Sequence, residues 1–138
     1  MLYLVFNLGE TGYALATDRI IQVLPCISPR PIRGAPAVVA GAISYQGRYL
    51  PVVDLVRLEA GRPAALRMGT RIIVTEPAMG ERTNIVGLMV ESATQTIRCS
   101  PEAFKPFAPS PRGPVQLLDL DNLLPGDLFE GLALELDS

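Results

Sequence analysis

Apolar residues along this 138-residue chain come in short runs, none of them longer than a strand. The runs are Leu2 to Leu8, Tyr13 to Ala16, Ile20 to Leu24, Val38 to Tyr45, Arg48 to Leu55, Arg71 to Glu76, Asn84 to Glu91, Thr94 to Cys99 and Val115 to Leu120. Each is rich in Val, Ile, Leu, Tyr or Phe, the residue types that suit a pleated, half-buried surface, and the pattern predicts strands. Two links carry hairpin chemistry. Gly9-Glu10-Thr11-Gly12 joins the first two runs, and Gln46-Gly47 sits between Tyr45 and Arg48, where glycine can supply positive φ. Consecutive strands are therefore expected to be antiparallel neighbours. Helical pattern is scarce: Thr17 to Ile20 predicts one turn capped by Thr17, and Asp127 to Leu136 a short amphipathic C-terminal helix with Asp127 as N-cap.

One internal echo organises the runs. Leu50-Pro51-Val52-Val53-Asp54-Leu55-Val56-Arg57-Leu58 is answered by Val115-Gln116-Leu117-Leu118-Asp119-Leu120-Asp121-Asn122-Leu123, an apolar strand followed by Asp-Leu in each case. The echo predicts an all-β fold of two five-stranded barrels around a common core, over residues 16–70 and 71–120, with strands at 2–16 completing it. Small barrels avoid exposed strand edges by closing. One domain spanning 1–138 is the expected unit.

Composition narrows the chemistry. Thirteen prolines and twelve glycines punctuate the whole length, and 49% apolar residues suffice for a sizeable core. A net charge of −2 gives no electrostatic footprint for a nucleic-acid backbone. The start, Met1 to Leu8, has no basic region and no apolar stretch of spanning length, so a cytoplasmic protein is expected. There is no histidine, and Cys26 and Cys99 are far apart with no CxxC spacing, so neither a metal site nor a redox motif is predicted and free thiols are expected. The single lysine, Lys105, lies among prolines in a polar loop rather than a desolvated pocket. The acidic stretch at Asp119 has Leu124 where a calcium loop needs its turn glycine. Asp54 and Asp119, each closing an apolar strand, read as acceptors for the amides of the turn that follows. No catalytic residue and no cofactor are predicted.

The most informative block runs from Gly34 to Leu58: a proline turn at Gly34-Ala35-Pro36, an apolar strand Gly41-Ala42-Ile43-Ser44-Tyr45, the Gln46-Gly47 hairpin, then Pro51-Val52-Val53-Asp54-Leu55. This block resembles the CheW-like family, whose signature is a Pro-Gly-x-Pro-like turn, Gly-x-x-Asn-x-Arg-Gly, and a Pro-x-x-Asp-Leu strand. The likeness extends to the opening hairpin at Leu4 to Gly9 with Tyr13-Ala14-Leu15, to Ile20-Ile21-Gln22-Val23-Leu24 in place of a Val-x-Glu-Ile segment, and to the strand pair Arg71 to Val74 and Val86 to Glu91. It implies two SH3-like half-barrels and no catalysis. The implied function is an adaptor that bridges the cytoplasmic tips of chemoreceptors to the regulatory domain of a CheA-type histidine kinase.

Carried over residue by residue, the resemblance assigns partner contacts to Ile20, Gln22, Gly41, Ser44, Tyr45, Gln46, Gly47 and Arg48, with Tyr45 as an aromatic anchor beside the hairpin tip. Three positions depart from the family: Gln46 stands for its arginine, Ser44 for its asparagine and Gln22 for its acid. These changes imply a specialised receptor or kinase, or weakened coupling. Between Cys99 and Val115 the chain is shorter than the family's usual hairpin-containing segment, and Pro106, Pro109, Pro111 and Pro114 predict an irregular loop there. The second barrel is then incomplete, with an edge that another copy of the chain could cover. The opening Met1-Leu2-Tyr3-Leu4, the Tyr45-to-Arg48 hairpin and the stretch Leu58 to Pro63 look most like WspB-type adaptors, which serve surface-sensing arrays with cyclic-di-GMP as output. The competing reading is a small OB- or SH3-like barrel binding a small ligand or an oligonucleotide, against which stand few aromatics, 6%, and the net negative charge.

Overall fold

The computed structural model describes residues 1–76 and 85–124. Among these residues nine strands form the body: β1 (Leu2–Leu8), β2 (Thr11–Ala16), β3 (Ile20–Leu24), β4 (Val39–Tyr45), β5 (Arg48–Asp54), β6 (Arg71–Thr75), β7 (Val86–Arg98), β8 (Phe107–Ala108) and β9 (Val115–Leu117). Two short helices follow strands, α1 (Leu55–Ala60) after β5 and α2 (Leu120–Leu123) after β9.

Hydrogen bonding sorts the strands into two five-stranded half-barrels that share β7. One runs β3-β6-β7-β5-β4 and the other β7-β1-β2-β9-β8. The first part of β7 pairs with β6, Thr75 opposite Val86 to Arg71 opposite Val90, while its later part pairs with β1, Leu2 opposite Arg98 to Val5 opposite Gln95. Between the two stretches lies Ser92 at φ 51, a bend that lets one strand serve two sheets. The boundary between half-barrels therefore falls within β7 rather than between residues 70 and 71, and β1 and β2 belong wholly to the second unit.

Side-chain alternation explains why the apolar runs are nearly continuous. A strand wall of a half-barrel has two buried faces, one toward its own lumen and one toward the other unit. Ile43, Tyr45, Leu50, Val52, Ile72, Val74 and Met89 fill the first lumen. Tyr3, Val5, Ala14, Ala108 and Val115 fill the second, where Tyr3 meets the edge of Phe104 with ring centroids 5.0 Å apart. The alternate positions Leu4, Phe6, Leu8, Val53, Ile73, Val86, Leu88 and Val90 form the shared core between them. Gly87 has no side chain because a Cβ there would come within 2.7 Å of Ile72 Cγ2.

The echo in the sequence is an echo in structure. β5 runs parallel to β7 and β9 parallel to β2, an aspartate stands at the N-cap of the helix that follows each, and each helix buries leucine in the shared core, Leu55 in α1 and Leu120 in α2.

Several expectations change. The two runs expected on either side of Ser92 join in the single strand Val86–Arg98, because Glu91-Ser92-Ala93 bends the chain without ending it. Leu55 to Ala60 is helical, with Gly61 at φ 76 closing it. The turn after β2 is a 3-10 turn at Thr17–Arg19 whose N-cap is Ala16 with no side-chain hydrogen bond, so Thr17 lies inside it. Between Cys99 and Val115 the chain is mostly irregular, yet Phe107 and Ala108 pair with Gln116 and Val115 and give the second half-barrel its fifth strand. The helix expected over Asp127 to Leu136 lies outside the described residues; α2 is the short helix found nearest the C-terminal end of those that are described.

Candidate functional site

The β4–β5 hairpin closes with two residues. Tyr45 pairs with Arg48 and Ser44 with Tyr49, and the loop residues Gln46 and Gly47 take φ of 50° and 81°. Positive φ at both positions is the type I′ geometry, whose twist matches that of the flanking strands. Gln46, Gly47 and Arg48 are exposed at the tip.

The same register decides which tyrosine faces solvent. Tyr45 follows Ile43 by two residues and shares its lumen face, and its ring is 7% exposed. The expected surface anchor is thus a core residue, because strand parity outweighs nearness to the tip. Only its hydroxyl leaves the lumen, donating to Gln22 Oε1 at 2.8 Å. The outward position belongs to Tyr49, 58% exposed beside exposed Ser44.

β3 supplies the other side of this surface. Ile20 is half-buried against the shared core and pairs with Thr75, apart from the other candidates. A register shift after Ile20 brings Gln22 opposite Val74, and Ile21, Gln22 and Val23 are all exposed. The structure thus joins Gln22 directly to Tyr45, places Ser44, Gln46, Gly47 and Arg48 on one hairpin, and adds Ile21, Val23 and Tyr49. Sequence matching passed over these three because it carried across only signature positions. The outward parity of Tyr49 could have been read from the two-residue loop and the inward Leu50.

Gly41 serves the backbone. It lies at φ 145° in a bulge of β4 and is buried beneath Arg30, whose N–H and carbonyl both bond Ala42, at 2.9 and 2.8 Å. A Cβ on Gly41 would land on the Arg30 carbonyl. Gly41 is therefore a spacer for a crossing segment and offers a partner no surface.

Behind the hairpin, buried carboxylates fix the scaffold. Asp54 accepts from the Arg57 amide at 3.1 Å, capping α1, and from the Ala64 amide at 2.8 Å. Glu91 takes two hydrogen bonds from the Arg62 guanidinium at 3.0 Å and one from the Ala65 amide at 2.7 Å. Burial pushes the Glu91 carboxyl up, but the hydrogen bonds and charge of Arg62 and the amides of Ala65 and Gly9 outweigh it and hold the group below the usual carboxylate range. Asp119 accepts from the side-chain amide of Asn122, in the other half-barrel from Asp54. Both cysteines are free thiols. Among the described residues no helix is long and apolar enough to cross a membrane. Gln22, Ser44, Gln46 and Tyr49 present neutral hydrogen-bonding groups flanked by apolar side chains, a surface equipped for recognition.

Three comparisons bear on this arrangement. The family described as "CheW-like domain" matches residues 2–125. The crystal structure of the scaffolding protein TtCheW from Thermoanaerobacter tengcongensis superposes with a TM-score of 0.77 at 21% identity, covering 91% of this chain and 89% of that one. No curated protein sequence matches the chain.

Proposed function

The chain belongs to the CheW-like domain family, and from that premise we propose that it is a non-catalytic chemosensory adaptor that couples the cytoplasmic tips of chemoreceptors to the regulatory domain of a CheA-type histidine kinase. The observation that carries this reading is the exposed surface made by the edge of β3 and the β4–β5 hairpin. Ile21, Val23 and Tyr49 supply apolar contact area there, and Gln22, Ser44 and Gln46 supply a polar rim. Protein interfaces have this anatomy, a few apolar or aromatic anchors ringed by groups that hydrogen-bond and exclude water. Such an adaptor works in the cytoplasm beside membrane-anchored receptors. The finer likeness to WspB-type adaptors extends the proposal to a surface-sensing array whose output is cyclic-di-GMP.

The test is a pulldown with a receptor cytoplasmic tip and a kinase regulatory domain from the same source, for the natural chain and for Gln46→Glu. Both partners should be retained by the natural chain. Gln46→Glu should weaken at least one of them while the thermal midpoint moves by no more than a few degrees, because an exposed substitution usually costs under about 0.5 kcal/mol. Undiminished retention would remove Gln46 from the interface, and a folded natural chain that retains neither partner would end the adaptor reading.

A further inference from the structure

Among the described residues, the half-barrel built from β3, β6, β7, β5 and β4 is not closed by strand pairing. Among these residues β3 pairs only with β6, and β4 pairs with β5. Apart from the bridge between Arg30 and Ala42, no backbone hydrogen bond among the described residues ties the chain around β3 to β4. The seam is crossed instead by side chains, where the Tyr45 hydroxyl donates to Gln22 Oε1 at 2.8 Å. We propose that this hydrogen bond is a latch that holds the free edge of β3 against the β4–β5 hairpin, with Tyr45 a positioning residue for the partner-binding surface.

The two ends of the latch differ in rigidity. Tyr45 is packed in the lumen among Ile43, Leu50 and Met89, and its ring cannot shift without opening a void. Gln22 sits on a strand whose middle residues, Ile21 to Val23, are all exposed and which has one pairing partner. Few buried contacts and one free edge put such a strand at the low-stability end of a fold. The bond therefore joins a packed residue of the hairpin to an exposed residue of a strand with one pairing partner among the described residues. A phenylalanine would fill the lumen as well as tyrosine does; the hydroxyl adds only the link across the seam. Both groups are uncharged, so the latch is little affected by salt screening. The inference rests on the adaptor reading for the identity of the partner, but not for the latch itself.

The two can be separated by experiment. Hydrogen–deuterium exchange on the full chain is compared for the natural protein, Tyr45→Phe, Gln22→Leu, the double variant and Gln22→Glu, which keeps an acceptor. Each single loss should speed exchange of the β3 amides by roughly three- to tenfold, the scale of one modest hydrogen bond. The thermal midpoint should shift little and exchange in β1 should stay unchanged. The double variant should be no faster than either single one, and Gln22→Glu should exchange like the natural chain. Affinity for the receptor tip or kinase domain should fall in step with the loss of protection in Tyr45→Phe, which leaves every exposed residue of the surface in place. Unchanged β3 exchange in Tyr45→Phe, or additive effects in the double variant, would overturn the latch. Faster exchange with unchanged affinity would overturn the positioning role. A natural chain that binds neither partner defeats the adaptor reading, and the exchange comparison still decides the latch.

Discussion

Gly41 shows how much one missing side chain can decide. Its φ of 145° and the Arg30 backbone above it leave no room for a methyl group. Gly41→Ala should destabilise the fold by about 2–4 kcal/mol, read as a lower denaturant midpoint with an unchanged slope, since both the strained dihedral and the backbone clash must be relieved. A midpoint equal to that of the natural chain would mean that the Arg30 segment yields freely. At this scale the sequence was legible wherever backbone geometry leaves a chemical trace: Gln46-Gly47 announced its turn, and Asp54 its role as acceptor for the following amides. It was not legible for Tyr45, whose place beside the tip suggested exposure while its parity with Ile43 sent it inward. Nor could residue type foretell that Gln46, a non-glycine, takes φ of 50°.

At the scale of elements, continuous apolar runs concealed what alternation usually reveals. With both faces of β5 and β6 buried, the strands were found by length and by β-branched content, and their bounds came within a residue or two. Of the helix Leu55–Ala60 only Leu55 falls in an expected strand and the rest in no expected element, because six residues are too few for a helical period to emerge from an apolar run. β8 was missed for the opposite reason: two residues between prolines carry no pattern, and only the neighbouring β9 makes them a strand. Val53 shows what a wall position costs. It is fully buried in the shared core beside Leu88 of β7, and Val53→Asp should abolish the cooperative unfolding transition, because an unpaired carboxylate there costs several kcal/mol. A soluble variant with a sharp thermal transition would contradict that placement.

For the whole molecule, the sequence echo correctly pointed to two related halves, but no local pattern could show that one strand serves both, because pairing between β1 and β7 is a long-range fact. The bend of β7 is braced from outside: the Arg62–Glu91 pair lies beside it, and Arg112 donates to the Ser92 carbonyl at 2.7 Å. Glu91, with its folded pKa below the unfolded value of about 4.3, contributes stability that is complete above that value and is lost as pH falls through the lower folded one. The stability difference between the natural chain and Glu91→Gln should therefore shrink steadily as denaturation is repeated from about pH 6 down to about pH 2. Acid limbs of equal steepness would assign the acid sensitivity elsewhere. The same shared strand also sets a timetable for synthesis. The amino group of Met1 meets the carbonyl of Cys99, 98 positions away, so the N-terminal hairpin leaves the ribosome long before the strand that covers its open edge. Tyr3 and Val5 must wait for most of the chain to be translated, and the nascent protein is exposed to aggregation for that interval.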